Sequence, residues 1–225
     1  MDLQLRDRVI LVVGATGLIG SAVVDLLRAE GATVVPASRH IEDGLTLDAA
    51  DDASVSAGID RVLADHGRLD GLVVAAAPAA QTLDPERQAD PAQVIGAIDA
   101  KAMTFLRVAN AVLPTMTEAG FGRIVGVSGQ NALLTGNLTG SVRNAALIIA
   151  AKNLADACAG TGVAVTTVNP GTVDVEPATE VAPGRGGESS PAQIADLIAF
   201  LLSPRSAVSG EAIAVGHRVR GMTSL

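Results

Sequence analysis

One stretch of this chain has residue types and spacing suited to binding a phosphate. It is VVGATGLIG, where Gly14, Gly17 and Gly20 recur as GxxGxxG directly behind an apolar run. One glycine lets the chain leave a strand sharply, and another lets backbone approach a pyrophosphate with no side chain in between. A helix starting there offers free N–H groups and the positive end of its dipole, so Thr16, Leu18 and Ile19 join the glycines as candidate contacts. A tight strand-to-helix turn with no ligand is the plainer alternative. Other reactive residue types are sparse. His40, His66 and His217 are scattered without metal-ligand spacing, so no metal site is expected. Cys158 is the only cysteine and sits in the apolar stretch Leu154–Ala159, where packing is the expected role. The chain has no tyrosine at all.

The elements around the glycine turn alternate regularly. Arg8–Val13 reads as a strand buried on both faces, and Gly17–Glu30 as a helix stopped by Gly31. Thr33–Ala37, Leu72–Ala76, Arg123–Val127, Val163–Val168 and Ala212–Val215 read as further strands. Helices are expected over Ala53–His66, Ala92–Ala119, Thr139–Ala159 and Pro191–Leu202, with a kink or break at Pro114. Strands alternating with helices of this length require parallel crossovers. The expected fold is therefore α/β: a Rossmann-like doubly wound parallel sheet of about seven strands, in one domain spanning 1–225. Residues 176–190, rich in Pro, Gly, Glu and Ser, read as a connecting loop or a lid.

Composition narrows the class. A chain of 225 residues with 48% hydrophobic and 18% charged residues is globular rather than disordered. Its core must be aliphatic, since only three phenylalanines are present. A net charge of −8 disfavours nonspecific contact with nucleic acid or anionic membrane. A lone cysteine leaves no intrachain disulfide, and MDLQLRDR lacks the basic-then-apolar pattern of a signal peptide. No apolar run approaches the ~18–20 residues that span a bilayer. The expectation is a soluble, cytoplasmic protein.

Several motifs in order, covering nearly the whole chain, resemble the short-chain dehydrogenase/reductase family. They are the glycine turn, VVPASRH at the end of the second strand, LTLDAADDASV after it, VNPGTVDV after the Val163 strand, and SPAQIADLIAFLLSPRSAVSGEAIAV at the C-terminal end. The resemblance implies a nicotinamide dinucleotide cofactor. It places Ser38 and Arg39 where the family discriminates cofactors, Asp48 beside the adenine, and Ala75 and Ala76 along the nucleotide. Pro170, Gly171 and Thr172 would bring backbone to the nicotinamide carboxamide. An arginine at 39 suits a 2′-phosphate through charge-assisted bonds, so NADP(H) is favoured over NAD(H). The resemblance also implies a homodimer or homotetramer, paired through Ala92–Ala119 and Thr139–Ala159.

The departures fall on the catalytic residues. Family members use a tyrosine four residues ahead of a lysine on one helix, and GSVRNAALIIAAKNLA puts Gly140 and Asn144 at those positions. Glycine supplies no proton, and asparagine lacks the charge that lowers a tyrosine's pKa. The family's strand serine aligns with Gly129, leaving Ser128 one residue early. Where a helix asparagine normally helps hold a relay water, this chain has Lys101. Ser128, Ser141, Asn131, Asn137 and Lys101 all come from segments that border the family's pocket. Lys101 and Ser128 are the candidate catalytic residues, because a lysine stripped of water can act near neutral pH. A solvent-facing or helix-interface charge remains the alternative for Lys101, and a plain helix hydroxyl for Ser141.

Three readings stay open. One is an oxidoreductase on a carbonyl or alcohol substrate, with a non-standard proton donor. Another is a catalytically degenerate dinucleotide-binding sensor or partner subunit. The third is a nonredox lyase, isomerase or cyclase on the same fold.

Overall fold

A computed structural model of the chain describes residues 1–78 and 82–221. Seven parallel strands form its main sheet. They are β1 (Val9–Val13), β2 (Thr33–Ser38), β3 (Leu45–Thr46), β4 (Gly71–Val74), β5 (Gly122–Val127), β6 (Val163–Pro170) and β9 (Ala212–Val215), in the order β3-β2-β1-β4-β5-β6-β9. The doubly wound fold is as expected, with one difference at the third place. Leu72, expected in the third strand, lies in β4, and the edge beside β2 is the two-residue β3. The sequence gives no strand signal there, because Leu45–Thr46 is too short to show any period. A second, two-stranded parallel pair joins β7 (Thr172–Val173) to β8 (Glu188–Ser189) and closes the 176–190 segment at its base.

Burial on both faces follows from alternation along each strand. In β1, Val9, Leu11 and Val13 enter one aliphatic core, while Ile10 and Val12 enter the other. The first core is closed by α2 (Asp52–His66), α4 (Thr104–Glu118) and α5 (Leu138–Ala157), with Phe105 and Leu147 at its centre. The second is closed by α1 (Leu18–Ala29) and α6 (Pro191–Leu202).

The long helix expected over Ala92–Ala119 is interrupted, though not at Pro114, which α4 passes through. The break lies earlier: α3 (Pro91–Ile98) leads into a π turn over Asp99–Met103 before α4 begins. An extra residue in a helical turn re-aims the side chains on either side, and such bulges are frequent at functional sites. Lys101 is in that turn.

Helix starts follow a pattern that α1 breaks, α4 being continuous with the π turn and likewise without a side-chain cap. Asp51, Asp90, Asn137 and Ser190 cap α2, α3, α5 and α6 through their side chains. At the start of α1 stands Gly17, with no side-chain cap. No helix among the described residues is long and apolar enough to cross a membrane.

Candidate active site

The glycine turn has the geometry its spacing implies. Gly14 has φ +87, and a Cβ there would lie 2.6 Å from the backbone nitrogen of Ala76. Its N–H donates to the Ala37 carbonyl at 2.9 Å, pinning the turn between β2 and the end of β4. A Cβ on Gly20 would sit 2.1 Å from the Gly14 carbonyl oxygen, so this glycine lets α1 press onto the turn. Gly17 has ordinary space around it but faces a cleft of about 530 Å³.

That cleft joins most of the expected nucleotide residues. Gly14, Thr16 and Gly17 line one side, Ser38, Arg39 and Asp48 another, and Ala75 and Ala76 the floor. Arg39 is exposed and makes no ion pair among the described residues. The Ser38 hydroxyl donates to the His40 carbonyl at 3.0 Å, and the Asp48 carboxylate accepts from the Ala50 N–H at 3.0 Å. Leu18, Ile19 and Gly20 lie in α1 outside the lining, as do Pro170, Gly171 and Thr172. Pro170 is the last residue of β6, paired with Val215. The lining also includes His40, from the VVPASRH motif, and Pro78, Ala100 and Thr104, which no motif singled out.

Beyond the Pro78 side of the cleft lies a buried polar cluster built on the end of β5, the π turn and the start of α5. Lys101 is 7% exposed, and its Nζ donates to the Ser128 carbonyl at 3.1 Å. Burial, aided by the charge of Arg143, lowers its pKa to about 7. The solvent-facing alternative for Lys101 is thereby excluded. The Ser128 hydroxyl donates to the Asn144 carbonyl at 3.0 Å, so its proton is committed to the helix. The Ser141 hydroxyl is likewise spent on the Leu134 carbonyl, at 2.6 Å.

Positions 140 and 144 have a local architecture of their own. Asn137 caps α5 by accepting from the Gly140 N–H at 2.9 Å, and a Cβ on Gly140 would meet the Asn137 Nδ2 at 2.7 Å. The Asn144 side chain donates to the Asn131 Oδ1 and lies over Gly129, where a Cβ would be 2.8 Å from the Asn144 Nδ2. The Asn144 Oδ1 is buried without a partner among the described residues.

Sequence reasoning overlooked Arg143. It is 5% exposed, donates to the Pro78 carbonyl at 3.2 Å, and keeps a buried Nε with no partner among the described residues. The signal was available, since Arg143 follows Gly140 by three residues and so shares its side of the helix.

A fold of this order, with an uncapped helix fronting a glycine turn, is an α/β protein of the doubly wound class. Comparison with known proteins narrows it. A family model described as enoyl-(acyl carrier protein) reductase matches residues 14–217. The chain is 33% identical to (2S)-[(R)-hydroxy(phenyl)methyl]succinyl-CoA dehydrogenase subunit BbsC of Thauera aromatica, over 96% of this chain and 95% of that one. It is 28% identical to the 3-oxoacyl-[acyl-carrier-protein] reductase FabG of Vibrio harveyi, over 95% and 97% of the two chains. The crystal structure of levodione reductase superposes with a TM-score of 0.82 at 21% identity, covering 95% of this chain and 97% of that one. This chain belongs to the short-chain dehydrogenase/reductase family, a family of oxidoreductases.

Proposed function

We propose that this protein is an NADP(H)-linked oxidoreductase acting on a carbonyl or alcohol substrate, with Lys101 as its proton donor. The observation that carries this reading is Lys101 itself: a buried ammonium, near neutrality in pKa, with only one described acceptor. An ammonium has three donors, so two N–H bonds are left for a substrate oxygen. Lys101 is not itself in the cleft lining, but Ala100 immediately before it and Thr104 three residues after it are. Ser128 serves through its backbone carbonyl, holding Nζ in place as a positioning residue.

The chain fits the cofactor on its own geometry. The uncapped N-terminus of α1 faces the cleft beside glycines whose Cβ positions are blocked, which suits a pyrophosphate. The unpaired Arg39 suits a 2′-phosphate. A bound nicotinamide would supply hydride. Lys101 would supply the proton to the substrate oxygen in the reducing direction and accept it in the oxidising one. The test is NADPH consumption over a panel of carbonyl compounds. Wild type should turn over at least one, and Lys101→Met should lose most of the rate while binding NADPH normally. Reduction undiminished in Lys101→Met would exclude Lys101 and leave a water or the substrate itself as the proton source.

One observation favours the noncatalytic reading. Gly140 and Asn144 belong to a settled network with Asn137, Asn131 and Gly129, at the positions where the family resemblance implies a tyrosine and a lysine. Tight NADPH binding with no turnover across the panel would establish a sensor or partner subunit instead.

Self-association through α3 and α5 is part of the same proposal. Ile95, Leu138, Val142 and Ile149 are exposed apolar residues on those two helices. Light scattering at micromolar concentration should report a homodimer or homotetramer, and a monomer would refute it.

A further inference from the structure

We propose that Arg143 and Lys101, two buried cations without a carboxylate partner at the Pro78 side of the cleft, form an anion site that takes the carboxylate of a carbonyl substrate. This names a substrate class for the oxidoreductase reading and rests on it. Arg143 is the more informative of the two. A guanidinium has five N–H donors, and here the only acceptor among the described residues is the Pro78 carbonyl, with Nε buried and unpartnered.

Arg123 shows what a structural arginine looks like in this fold. It is also desolvated, yet it donates to the carbonyls of Gly122, Gly162, Ser203 and Ser206 and stacks 4.5 Å from the Phe121 ring centre. Arg143 has no comparable shell. Neither it nor Lys101 takes part in any ion pair among the described residues, and the charge of Arg143 is felt at Lys101. Two like charges held together out of water oppose folding, so a site of this kind is kept for what it binds.

The placement fits a substrate end rather than a nucleotide end. Pro78, whose carbonyl holds Arg143, lines the cleft on the side away from Arg39, and Ala100 and Thr104 line it next to Lys101. The charge fits an anion, since neither cation is neutralised by a carboxylate among the described residues. A carboxylate's two oxygens also match the guanidinium fork.

Oxamate and oxamide distinguish this idea, being nearly identical in shape and different in charge. With the protein saturated with NADPH, calorimetric titration should show oxamate binding about tenfold or more tighter than oxamide. Arg143→Met should lose that preference while NADPH affinity is unchanged and the melting temperature holds or rises, since a buried uncompensated charge has been removed. Should Arg143→Met fail to fold, Arg143→Lys, which keeps the charge and loses the fork, should weaken oxamate about threefold or more. Equal or undetectable binding of both compounds by wild type, or oxamate affinity unchanged in the variants, overturns the proposal. Inorganic phosphate displacing oxamate at equal concentration overturns the assignment to a carboxylate. Oxamate binding without reduction of any 2-oxo acid would uphold the anion site and sink the reductase reading. Reduction of neutral ketones with no oxamate binding would do the reverse.

Discussion

The Lys101 ammonium lies 3.1 Å from the Ser128 carbonyl oxygen, so the π turn between α3 and α4 is tied to the end of β5. That bond joins the one irregular turn of a long helical stretch to Ser128, the residue that follows β5. It explains how a lysine comes to be buried in a protein that has only one other. The widened turn re-aims the side chain inward, and a backbone carbonyl accepts one of its protons.

Burial of Lys101 has a measurable consequence for stability. Its pKa falls from the ordinary 10.5 to about 7 on folding. Below pH 7 both folded and unfolded chains hold the proton, and no slope arises. Between pH 7 and 10.5 the unfolded chain holds it while the folded chain has released it, so stability should rise with pH across that window. Urea midpoints for Lys101→Met should lack this rise, and the difference between the two curves isolates Lys101 from Cys158, whose pKa burial raises. If Lys101 is also the proton donor, kcat/KM for reduction should fall as pH passes above 7. A flat difference curve would show that the ammonium is not desolvated.

Arg39 should set nucleotide preference. It is exposed at the cleft and free of ion pairs among the described residues, so its charge is available to a 2′-phosphate. Arg39→Ala should cost roughly 1.5–3 kcal/mol of NADPH affinity, the worth of a charged hydrogen bond, and leave NADH binding nearly unchanged. Equal losses for both nucleotides in fluorescence titrations would remove Arg39 as the discriminator.

The two glycines that line the cleft should fail differently. Gly14 combines φ +87 with a Cβ position 2.6 Å from Ala76 backbone, so Gly14→Ala should destabilise the fold by about 2 kcal/mol or more. Gly17 has no positive φ, and its nearest neighbour would be the Gly14 oxygen at 3.4 Å. Gly17→Ala should therefore melt like wild type yet bind NADPH at least several-fold more weakly. Thermal melts that move together would contradict the division of labour.

The fold was readable because its strands are buried on both faces and its turns carry glycine. The runs at Arg8–Val13 and Val163–Val168 have no competing explanation, and the observed bounds depart from them by at most two residues. What escaped notice was set by tertiary context. β3 is too short to have a period. Pro114 looked like the break, but the rest of α4 packs against the sheet and carries the helix through, whereas the π turn leaves no mark in sequence. The cleft lining was legible at Gly14, Gly17, Ser38, Arg39 and Asp48 because glycine spacing and the end of the second strand act locally. The polar cluster was half legible: Lys101 stood out by its position, but Arg143 acts through burial, which its flanking residues do not disclose.

Restoring the family's acid should be harder than replacing two residues. With Lys101 as the donor, ordinary neutral ketones, which lack the carboxylate that Arg143 would hold in place, should be reduced very slowly by the wild type. A Cβ at position 140 would lie 2.7 Å from the Asn137 Nδ2, and that asparagine cannot simply swing away without uncapping α5. Gly140→Tyr with Asn144→Lys should therefore lose stability, by about 1 kcal/mol for the cap alone, and remain inactive. Adding Asn137→Ser supplies a shorter side chain that still caps a helix. The triple variant should show NADPH-dependent ketone reduction, and each restoration alone should do little, since tyrosine and lysine act as a unit. A double variant as active as the triple would show that Asn137 is no obstacle. A triple variant that folds and binds NADPH but reduces nothing would place the defect in substrate access and not in the missing hydroxyl.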